Sequence, residues 1–353
     1  MSDPALRVLA GDAARRHLRE RGLDNADVAA VTAASGGPKW LGVYELDRVV
    51  FGEFLAQGSR AVNLLGSSSG SWRLACAALP DARAAFARFE HAYRTQRYPA
   101  RPSPAYVTGM AWQTLEAVFA RDGAAQALAH PRFRLNLVTV RLRGSVDGSP
   151  RRHMMRLGAA ALGNLVHRRS LGLFVERILF HSGGSGETVH FVDGLPTRRV
   201  ALDADNFSAA LLATGSIPGV MEPVIDVPGA GPGVYYDGGL TDYHFDGGYD
   251  PGAGLTLQPH FYPHLVPGWF DKPLRWRRNR LARASWTVVL APSETHLARL
   301  PHGKVPDRED FLAMSDDERE RYWLQVAAES ERLADEFREL VATGRIAERV
   351  EAL

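Results

Sequence analysis

Residues 26–40 read ADVAAVTAASGGPKW, and this stretch decides the fold. A short apolar run over 26–34 ends in Ser35-Gly36-Gly37-Pro38, which is typical of a buried strand that enters a tight loop. Apolar residues then recur at three- and four-residue steps over 40–55, as in an amphipathic helix. Residues 61–78, AVNLLGSSSGSWRLACAA, repeat the order of strand, Gly-rich turn and helix. Two such units in succession predict an α/β fold with a parallel sheet and helices on its faces.

The remainder of the chain extends this pattern. The Pro-rich loop 95–106 is the one segment that resembles a linker, but strands resume beyond it. We therefore predict a single α/β domain over 1–353, with its core at about 26–291 and a C-terminal helical extension at about 310–350. The spacing of apolar residues predicts further strands over 133–142, 177–180, 188–192, 255–262 and 285–290, a surface helix over 12–21 and a long C-terminal surface helix over 315–340.

Composition excludes several classes of protein. The formal net charge of +2 is too balanced for a nucleic-acid binder that relies on neutralising phosphates. A single cysteine, Cys76, allows neither an intramolecular disulfide nor a cysteine-based zinc site. The N-terminal sequence lacks the apolar core of a secretory signal, and no apolar run approaches the roughly 20 residues of a membrane span. We expect a cytoplasmic protein with at most peripheral membrane contact.

Three short motifs carry candidate chemistry, and the first is Gly66-Ser67-Ser68-Ser69-Gly70. It fits Gly-x-Ser-x-Gly, in which flanking glycines permit a sharp strand-to-helix turn that exposes the central hydroxyl. Ser68 is therefore the candidate nucleophile. Taken alone, a Ser/Gly-rich turn that caps a helix explains the motif equally well.

The second motif, Ser35-Gly36-Gly37-Pro38-Lys39-Trp40, also lies between a strand and a helix. Glycines let backbone N–H groups approach the oxygen that becomes negative when an ester carbonyl is attacked. Pro38 has no N–H, so the donors would be Gly36 and Gly37. An ordinary Gly-Pro turn is the alternative interpretation.

The third motif is Tyr235-Tyr236-Asp237-Gly238-Gly239, which follows an apolar helix pattern and a Pro turn. A short strand would place the Asp237 carboxylate at its end. A carboxylate within hydrogen-bond reach of a serine hydroxyl can act as its general base, with partial desolvation raising its pKa. A plain Asp-Gly-Gly turn is the alternative.

In this order and spacing, the three motifs resemble the patatin-like phospholipase family. That family combines a Gly-rich oxyanion loop, a Gly-x-Ser-x-Gly elbow and a late Asp-Gly-Gly or Asp-Gly-Ala, and residues 213–218, ATGSIP, are similar to the stretch before its catalytic Asp. The resemblance covers about 26–240. It implies a three-layer α/β/α patatin-like fold with a central, mostly parallel sheet. It also implies Ser68 as nucleophile, Asp237 as base, Gly36 and Gly37 as oxyanion donors and Lys39 as a supporting residue of the oxyanion loop.

The resemblance further implies a serine acyl hydrolase that cleaves lipid-type carboxylic esters, with a fatty acyl ester or phospholipid as substrate and no cofactor. An acyltransferase that discharges the same acyl-enzyme to an alcohol or thiol is one alternative. A non-catalytic lipid-binding protein with this fold is another. The sequence departs from the family at Ser35, where Gly is usual, at Lys39, where Arg is common, and at Trp40, where a small residue is usual, and these departures bear on the shape of the substrate pocket.

Histidines and acidic residues leave two further arrangements open. A triad in the order Ser, Asp, His would pair Asp237 with a later histidine. His244 could join Asp242 and Asp246 as a metal-ligand set, although a solvated turn explains these residues without a metal. We predict the Ser-Asp dyad and no metal. The later histidines in question are His260, His264, His296 and His302.

Two segments could contact a lipid surface. Residues 151–169 form either a basic amphipathic lid or a core helix with charged ends. Residues 269–286 mix arginines with aromatic residues, which suits lipid headgroups but equally suits arginine stems packed over a tryptophan-anchored surface. The residues in question are Arg275, Arg277, Arg278, Arg280 and Arg283, with Trp269, Phe270, Trp276 and Trp286.

Overall fold

The computed structural model describes residues 4–120, 122–144, 149–184, 189–250, 252–278 and 284–353. Thirteen strands lie within these ranges, and most are short. They are β1 (Leu6–Ala10), β2 (Val28–Ala33), β3 (Val62–Ser67), β4 (Phe133–Leu142), β5 (Val175–His181), β6 (His190–Phe191), β7 (Thr197–Ala201), β8 (Val224–Ile225), β9 (Val234–Asp237), β10 (Tyr249–Asp250), β11 (Leu255–Pro259), β12 (Thr287–Pro292) and β13 (Val350–Ala352).

Thirteen α-helices in the same ranges connect and cover these strands. They are α1 (Asp12–Arg21), α2 (Tyr44–Val49), α3 (Ser69–Ala77), α4 (Ala82–Arg94), α5 (Pro104–Phe119), α6 (Gly123–Leu128), α7 (Pro150–Val166), α8 (Phe207–Gly215), α9 (Glu294–Arg299), α10 (Asp310–Ala313), α11 (Asp316–Glu329), α12 (Glu331–Ala342) and α13 (Ile346–Arg349).

Eleven of the described strands form one mixed sheet. Its main path runs β13-β1-β12-β11-β2-β3-β4-β5-β7, with β9 and β8 attached to β4. The centre is parallel, because β12, β11, β2, β3 and β4 all run in the same direction. Helices flank this sheet, so the fold is α/β with a mostly parallel central sheet, consistent with the predicted three-layer arrangement.

The two strand-turn-helix units lie in the middle of the sheet. All six residues of β2 are buried, as a parallel strand covered on both faces requires. The predicted strands over 26–34, 61–65, 133–142 and 177–180 are confirmed as β2, β3, β4 and β5. Because β2 and β3 are neighbours in register, with Ala33 opposite Gly66, the two Gly-containing loops that follow them emerge side by side.

The helix predicted over 40–55 is present as three consecutive helical segments. It consists of a 3₁₀ segment (Gly37–Val43), α2 and a π segment (Val50–Phe54). Almost every apolar residue in it is buried, because α11 and α12 cover the side that faces away from the sheet. The apolar residues of the predicted periodicity are therefore buried, and α11 and α12 add a covering layer that the periodicity alone did not indicate.

The C-terminal region also differs from the prediction of one long surface helix over 315–340. Two helices, α11 and α12, meet at Ser330, and Trp323 of α11 is fully buried. The chain then returns to the sheet as β13, which pairs with β1. Strands β1 and β13 therefore extend the sheet beyond the predicted 26–291 core.

Strand 188–192 is corrected as well. Residue 188 lies outside the described residues, and the two-residue strand β6 pairs with β10 in a separate small sheet. In the Pro-rich loop, Pro104 is the first residue of α5, where its missing N–H is harmless. None of the helices in the described ranges is both long and apolar enough to cross a lipid bilayer.

Candidate active site

Ser68 occupies a strained turn between β3 and α3. Its φ of 52° and ψ of −134° lie in a region that L-residues rarely adopt. The glycines on either side are required by close packing rather than by their own dihedrals. A Cβ on Gly70 would lie 2.0 Å from the carbonyl oxygen of Ala33, and one on Gly66 would lie 2.8 Å from Cα of Ser71.

Strand β4 explains how Asp237 reaches this turn. The N-terminal half of β4 pairs with β3. The last residue of β3, Ser67, lies opposite Val138. The next residue along β4, Thr139, pairs with Asp237 at the end of β9. Because β9 runs antiparallel to β4, the two strands approach each other end to end, and their last residues meet.

The result is a direct hydrogen bond between the two side chains. The hydroxyl of Ser68 donates to Oδ2 of Asp237 at 2.8 Å, and the backbone N–H of Gly239 donates to Oδ1 at 2.7 Å. Both side chains are buried, with 6% and 2% of their residue surface exposed. Burial raises the pKa of Asp237 to about 6, against the opposing effect of these two hydrogen bonds. The carboxylate is therefore a better proton acceptor than an exposed Asp.

Thr214 supports the turn and was not singled out from the sequence. The backbone N–H of Ser68 donates to Oγ1 of Thr214 at 2.8 Å, and the Thr214 hydroxyl donates to the carbonyl of Val138 at 2.5 Å. This pair of bonds holds the strained backbone and occupies the N–H of Ser68. The sequence indicated it only through the ATGSIP stretch, which contains Thr214. In the structure this threonine is fully buried.

The Gly36-Gly37 loop lies beside the turn and is fixed by serines. The hydroxyls of Ser35 and Ser67 are 2.7 Å apart, and Ser67 donates to the carbonyl of Asp242 at 2.5 Å. Ser35 thus anchors the loop through a side chain that a glycine lacks. A Cβ on Gly36 would lie 2.6 Å from Cζ of the buried Phe261, so any side chain at this position would require Phe261 to shift.

The two predicted oxyanion donors keep free N–H groups. Gly37 has a φ of 57° and begins the 3₁₀ segment, where the first N–H groups have no partner inside the helix. Neither Gly36 nor Gly37 donates a backbone hydrogen bond to another described residue. These amides are therefore available to a ligand oxygen.

The segment 242–246 is buried, which overturns its interpretation as a solvated turn. Asp242 accepts two hydrogen bonds from the buried Arg177, at 2.6 and 2.8 Å, and Arg177 also binds Asp193 at 2.6 Å. His244 is 1% exposed, and its Nδ1 accepts from the backbone of Val266. Within the described residues, no three His, Cys, Asp or Glu side chains are grouped as a metal site would require.

A group of cations surrounds the loop and the dyad. We call Lys39, Lys272 and Arg308 the cation cluster. Burial lowers the pKa of Lys39, and burial followed by the charges of Arg308 and Lys39 lowers that of Lys272 to about 8. The sequence pointed to Lys39 alone, because the other two residues lie far away along the chain.

The structure does not bring the alternative histidines to the dyad. His260 is buried and its Nδ1 accepts from the backbone of Tyr262, while His302 packs against Tyr322. In the part of the chain that the structure describes, His260, His264, His296 and His302 make no hydrogen bond with Ser68 or Asp237. Both oxygens of Asp237 already have other partners.

The two segments that could contact a lipid surface each contain both buried and exposed residues. One stripe of α7 is buried, while Met155, Leu162 and Val166 on its other side are 75%, 68% and 86% exposed. In the second segment Arg277 is buried and binds Asp271 at 2.7 Å, whereas Trp276 is 73% exposed. Arg280 and Arg283 lie outside the described residues.

Comparison with models of known protein families, with curated proteins and with solved structures finds no match to this chain. The resemblance to the patatin-like family therefore stays a prediction that rests on the three motifs.

Proposed function

We propose that this protein is a serine acyl hydrolase that cleaves lipid-type carboxylic esters through Ser68 and Asp237. The observation that carries the proposal is the 2.8 Å hydrogen bond from Ser68 Oγ to a buried carboxylate, made by a serine in a strained turn. Strain of this kind is stored where a fold must present a reactive group. No second residue stands between the nucleophile and its base.

In the first step, Ser68 Oγ attacks the ester carbonyl and its proton moves to Oδ2 of Asp237. The pKa of about 6 leaves Asp237 ionised at neutral pH yet able to hold the proton. The carbonyl oxygen becomes an oxyanion, and the N–H groups of Gly36 and Gly37 are the donors that stabilise it.

In the second step, the tetrahedral intermediate collapses. The bond to the alcohol oxygen breaks, Asp237 returns the proton to that oxygen, and the acyl group remains on Ser68 as an ester. Water then attacks this ester with Asp237 as general base, and the acid leaves with Ser68 restored. The N–H of Ser68 is occupied by Thr214, so it is not available to the oxyanion.

The test is labelling with a fluorophosphonate together with hydrolysis of p-nitrophenyl esters of increasing chain length. Wild type is expected to be labelled and to turn over, Ser68→Ala to show neither, and Asp237→Asn to lose turnover. Full esterase activity in Ser68→Ala would refute the proposal. Acyl transfer to an added alcohol in place of hydrolysis would make the protein an acyltransferase, and lipid binding without labelling would make it a non-catalytic binder.

Peripheral contact with a lipid surface is a second part of the proposal. Leu162 and Val166 at the end of α7 are largely exposed, and Arg277 ties the adjoining Trp276 segment to this end through the carbonyl of Leu165 at 3.3 Å. Exposed apolar residues grouped in this way suit an interface. In sedimentation with phosphatidylglycerol vesicles, a double variant Leu162→Ser, Trp276→Ser is expected to remain in the supernatant. The matched control is Leu324→Ser, and equal sedimentation of both variants would contradict this contact.

A further inference from the structure

We propose that Lys39, Lys272 and Arg308 form a subsite for an anionic group, a phosphate or a carboxylate, carried by the substrate next to the reacting ester. This inference rests on the proposed acyl hydrolase function and names the substrate class more closely. Two observations support it. Lys272 and Arg308 lie beside the glycine loop that leads to Lys39, and none of the three cations forms an ion pair with a described residue.

Arg308 lies against the oxyanion loop. The position of a Cβ on Gly37 would be 3.3 Å from Cγ and 3.6 Å from Cδ of Arg308. Its guanidinium carbon lies 5.0 Å from the ring centre of Trp269, so an aromatic face orients the charged end. The loop that supplies the oxyanion donors and this guanidinium are therefore neighbours.

Lys272 approaches the same place from another element. Its Nζ lies 4.2 Å from the ring centre of Tyr243 and 4.9 Å from that of Trp269. Trp269 thus contacts both Lys272 and Arg308. Tyr243 in turn accepts a backbone hydrogen bond from Ser35 at 2.8 Å, which connects Lys272 to the base of the glycine loop.

Apart from Asp237, whose charge acts on Lys272 and Arg308, the carboxylates near the cation cluster bind other residues. Lys304 binds Asp307 at 3.0 Å and Asp310 at 2.8 Å, and Trp323 donates to the second oxygen of Asp310. Asp271, beside Lys272 in the chain, is taken by its own set of partners, which are Asn164, Arg168 and Arg277.

The charges of Asp307 and Asp237 act on the cation cluster, but no carboxylate of the described residues pairs directly with any of the three cations. No side chain of the cluster forms an ion pair or a hydrogen bond with another residue in the described ranges. Partly buried like charges repel one another, and unpaired buried charge is costly. A bound anion would offset both effects, and an arginine with two lysines matches the oxygens of a phosphate or carboxylate.

The experiment measures anion binding without turnover. Calorimetric titration of the full-length Ser68→Ala protein with glycerol 3-phosphate, glycerate and inorganic phosphate is expected to show binding of one of the two organic anions. Adding Lys272→Met and Arg308→Met should weaken that binding by about tenfold or more, since charge-assisted hydrogen bonds are lost. Arg275→Met, which removes an exposed arginine nearby, is the matched control and should bind normally.

The choice of anion identifies the chemistry of the substrate group. Tighter binding of glycerol 3-phosphate indicates a phosphate ester, and tighter binding of glycerate indicates a carboxylate. Tightest binding of inorganic phosphate would indicate a site for the free ion and would overturn the substrate subsite. Absence of binding, or equal binding by the Met variants, would also overturn it. Should the Met variants fail to fold, Lys272→Gln and Arg308→Gln replace them.

The second measurement is ester turnover, made on protein in which Ser68 is intact. The ratio of kcat/KM for 1-acylglycerol 3-phosphate to that for the uncharged 1-acylglycerol should fall by about tenfold in Lys272→Met. An equal fall for both esters would assign the cations to the oxyanion instead and would contradict the subsite. Fluorophosphonate labelling of wild type tests the hydrolase separately, so its failure is distinguishable from failure of the subsite.

Discussion

Two buried carboxylates, Asp237 and Asp242, lie five residues apart in the chain and differ in their partners. Asp242 accepts two hydrogen bonds from the guanidinium of Arg177, which is itself fully buried. Among the described residues, Asp237 accepts from a serine hydroxyl and a backbone N–H but from no charged group. Asp237 has no ion-pair partner among the described residues, and burial raises its pKa to about 6 against its two hydrogen bonds and the weaker effect of the Arg308 and Lys272 charges.

The difference separates a carboxylate that stabilises the fold from the carboxylate that we propose as the base. A guanidinium partner would hold Asp237 ionised and make it a poor proton acceptor. Arg177 instead fixes Asp242, whose carbonyl accepts from Ser67, and Ser67 contacts Ser35 at the oxyanion loop. The Arg177–Asp242 pair therefore stabilises the glycine loop through Ser67 and Ser35. Asp237, in contrast, forms no ion pair with a described residue.

The largest expected effect is the loss of activity in Asp237→Asn. An amide cannot accept the proton of Ser68, so kcat/KM for p-nitrophenyl esters should fall by roughly 10²–10⁴-fold. The measurement is initial rates at pH 8 on folded protein, with circular dichroism as the check of folding. A loss below about tenfold would mean that Asp237 is not the base.

Asp242→Asn should instead affect the free energy of unfolding. Removing the charge of one partner leaves Arg177 with Asp193 as its one ion-pair partner among the described residues, and we expect a loss of about 3 kcal/mol. Urea denaturation measures it, with the exposed Asp205→Asn as the matched control. If Asp242→Asn were as stable as the control, the ion pair between Arg177 and Asp242 would not stabilise the fold. Asp242 would then not differ from Asp237 in the way proposed.

The pH profile sharpens the same contrast. Protonated Asp237 cannot act as a base, so kcat/KM should be constant above about pH 7 and fall about tenfold per pH unit below the pKa of about 6. Rates between pH 4.5 and 9 on wild type test this. An inflection near pH 4 would indicate that the carboxylate is not desolvated during turnover.

Asp237→Asn should also stabilise the protein at high pH. A pKa raised from 3.8 to about 6 means that the folded state binds the proton more tightly than the unfolded state, so ionisation of Asp237 destabilises the fold above pH 6 by up to roughly 3 kcal/mol. The variant should therefore unfold at higher urea than wild type at pH 8, and the difference should vanish at pH 4. A constant difference at both pH values would contradict this account.

The smallest effect concerns the strained turn. Ser68→Gly removes the Cβ that makes a φ of 52° costly, whereas Ser68→Ala keeps it. We expect the glycine variant to be more stable than the alanine variant by about 1 kcal/mol, after the greater chain entropy of glycine is included. Paired thermal unfolding of the two inactive variants measures this difference. Equal midpoints would show that the turn is not strained.

Much of the central fold could be predicted because its signals are local. The apolar runs of β2, β3 and β4, and the glycines after β2 and β3, indicated strands and turns from neighbouring residues alone. The C-terminal helices could not be read in the same way. Their periodicity suggested a surface helix, but the burial of Trp323 depends on α11 packing over the helix that follows the glycine loop.

The amino-acid sequence by itself determined the two strand-turn-helix units and the candidate roles of Ser68 and the glycine loop, because each depends on residues within a few positions of one another. The pairing of Ser68 with Asp237 was predicted from the resemblance of the three motifs to a family, but its physical cause lies in the tertiary structure alone. Asp237 arrives because β4 pairs first with β3 and then with β9, a contact between residues 169 positions apart. The same holds for Lys272 and Arg308, which join Lys39 only through packing around Trp269 and the loop. Lys272 and Arg308 stand in no motif, so no local pattern could indicate that they lie near Lys39.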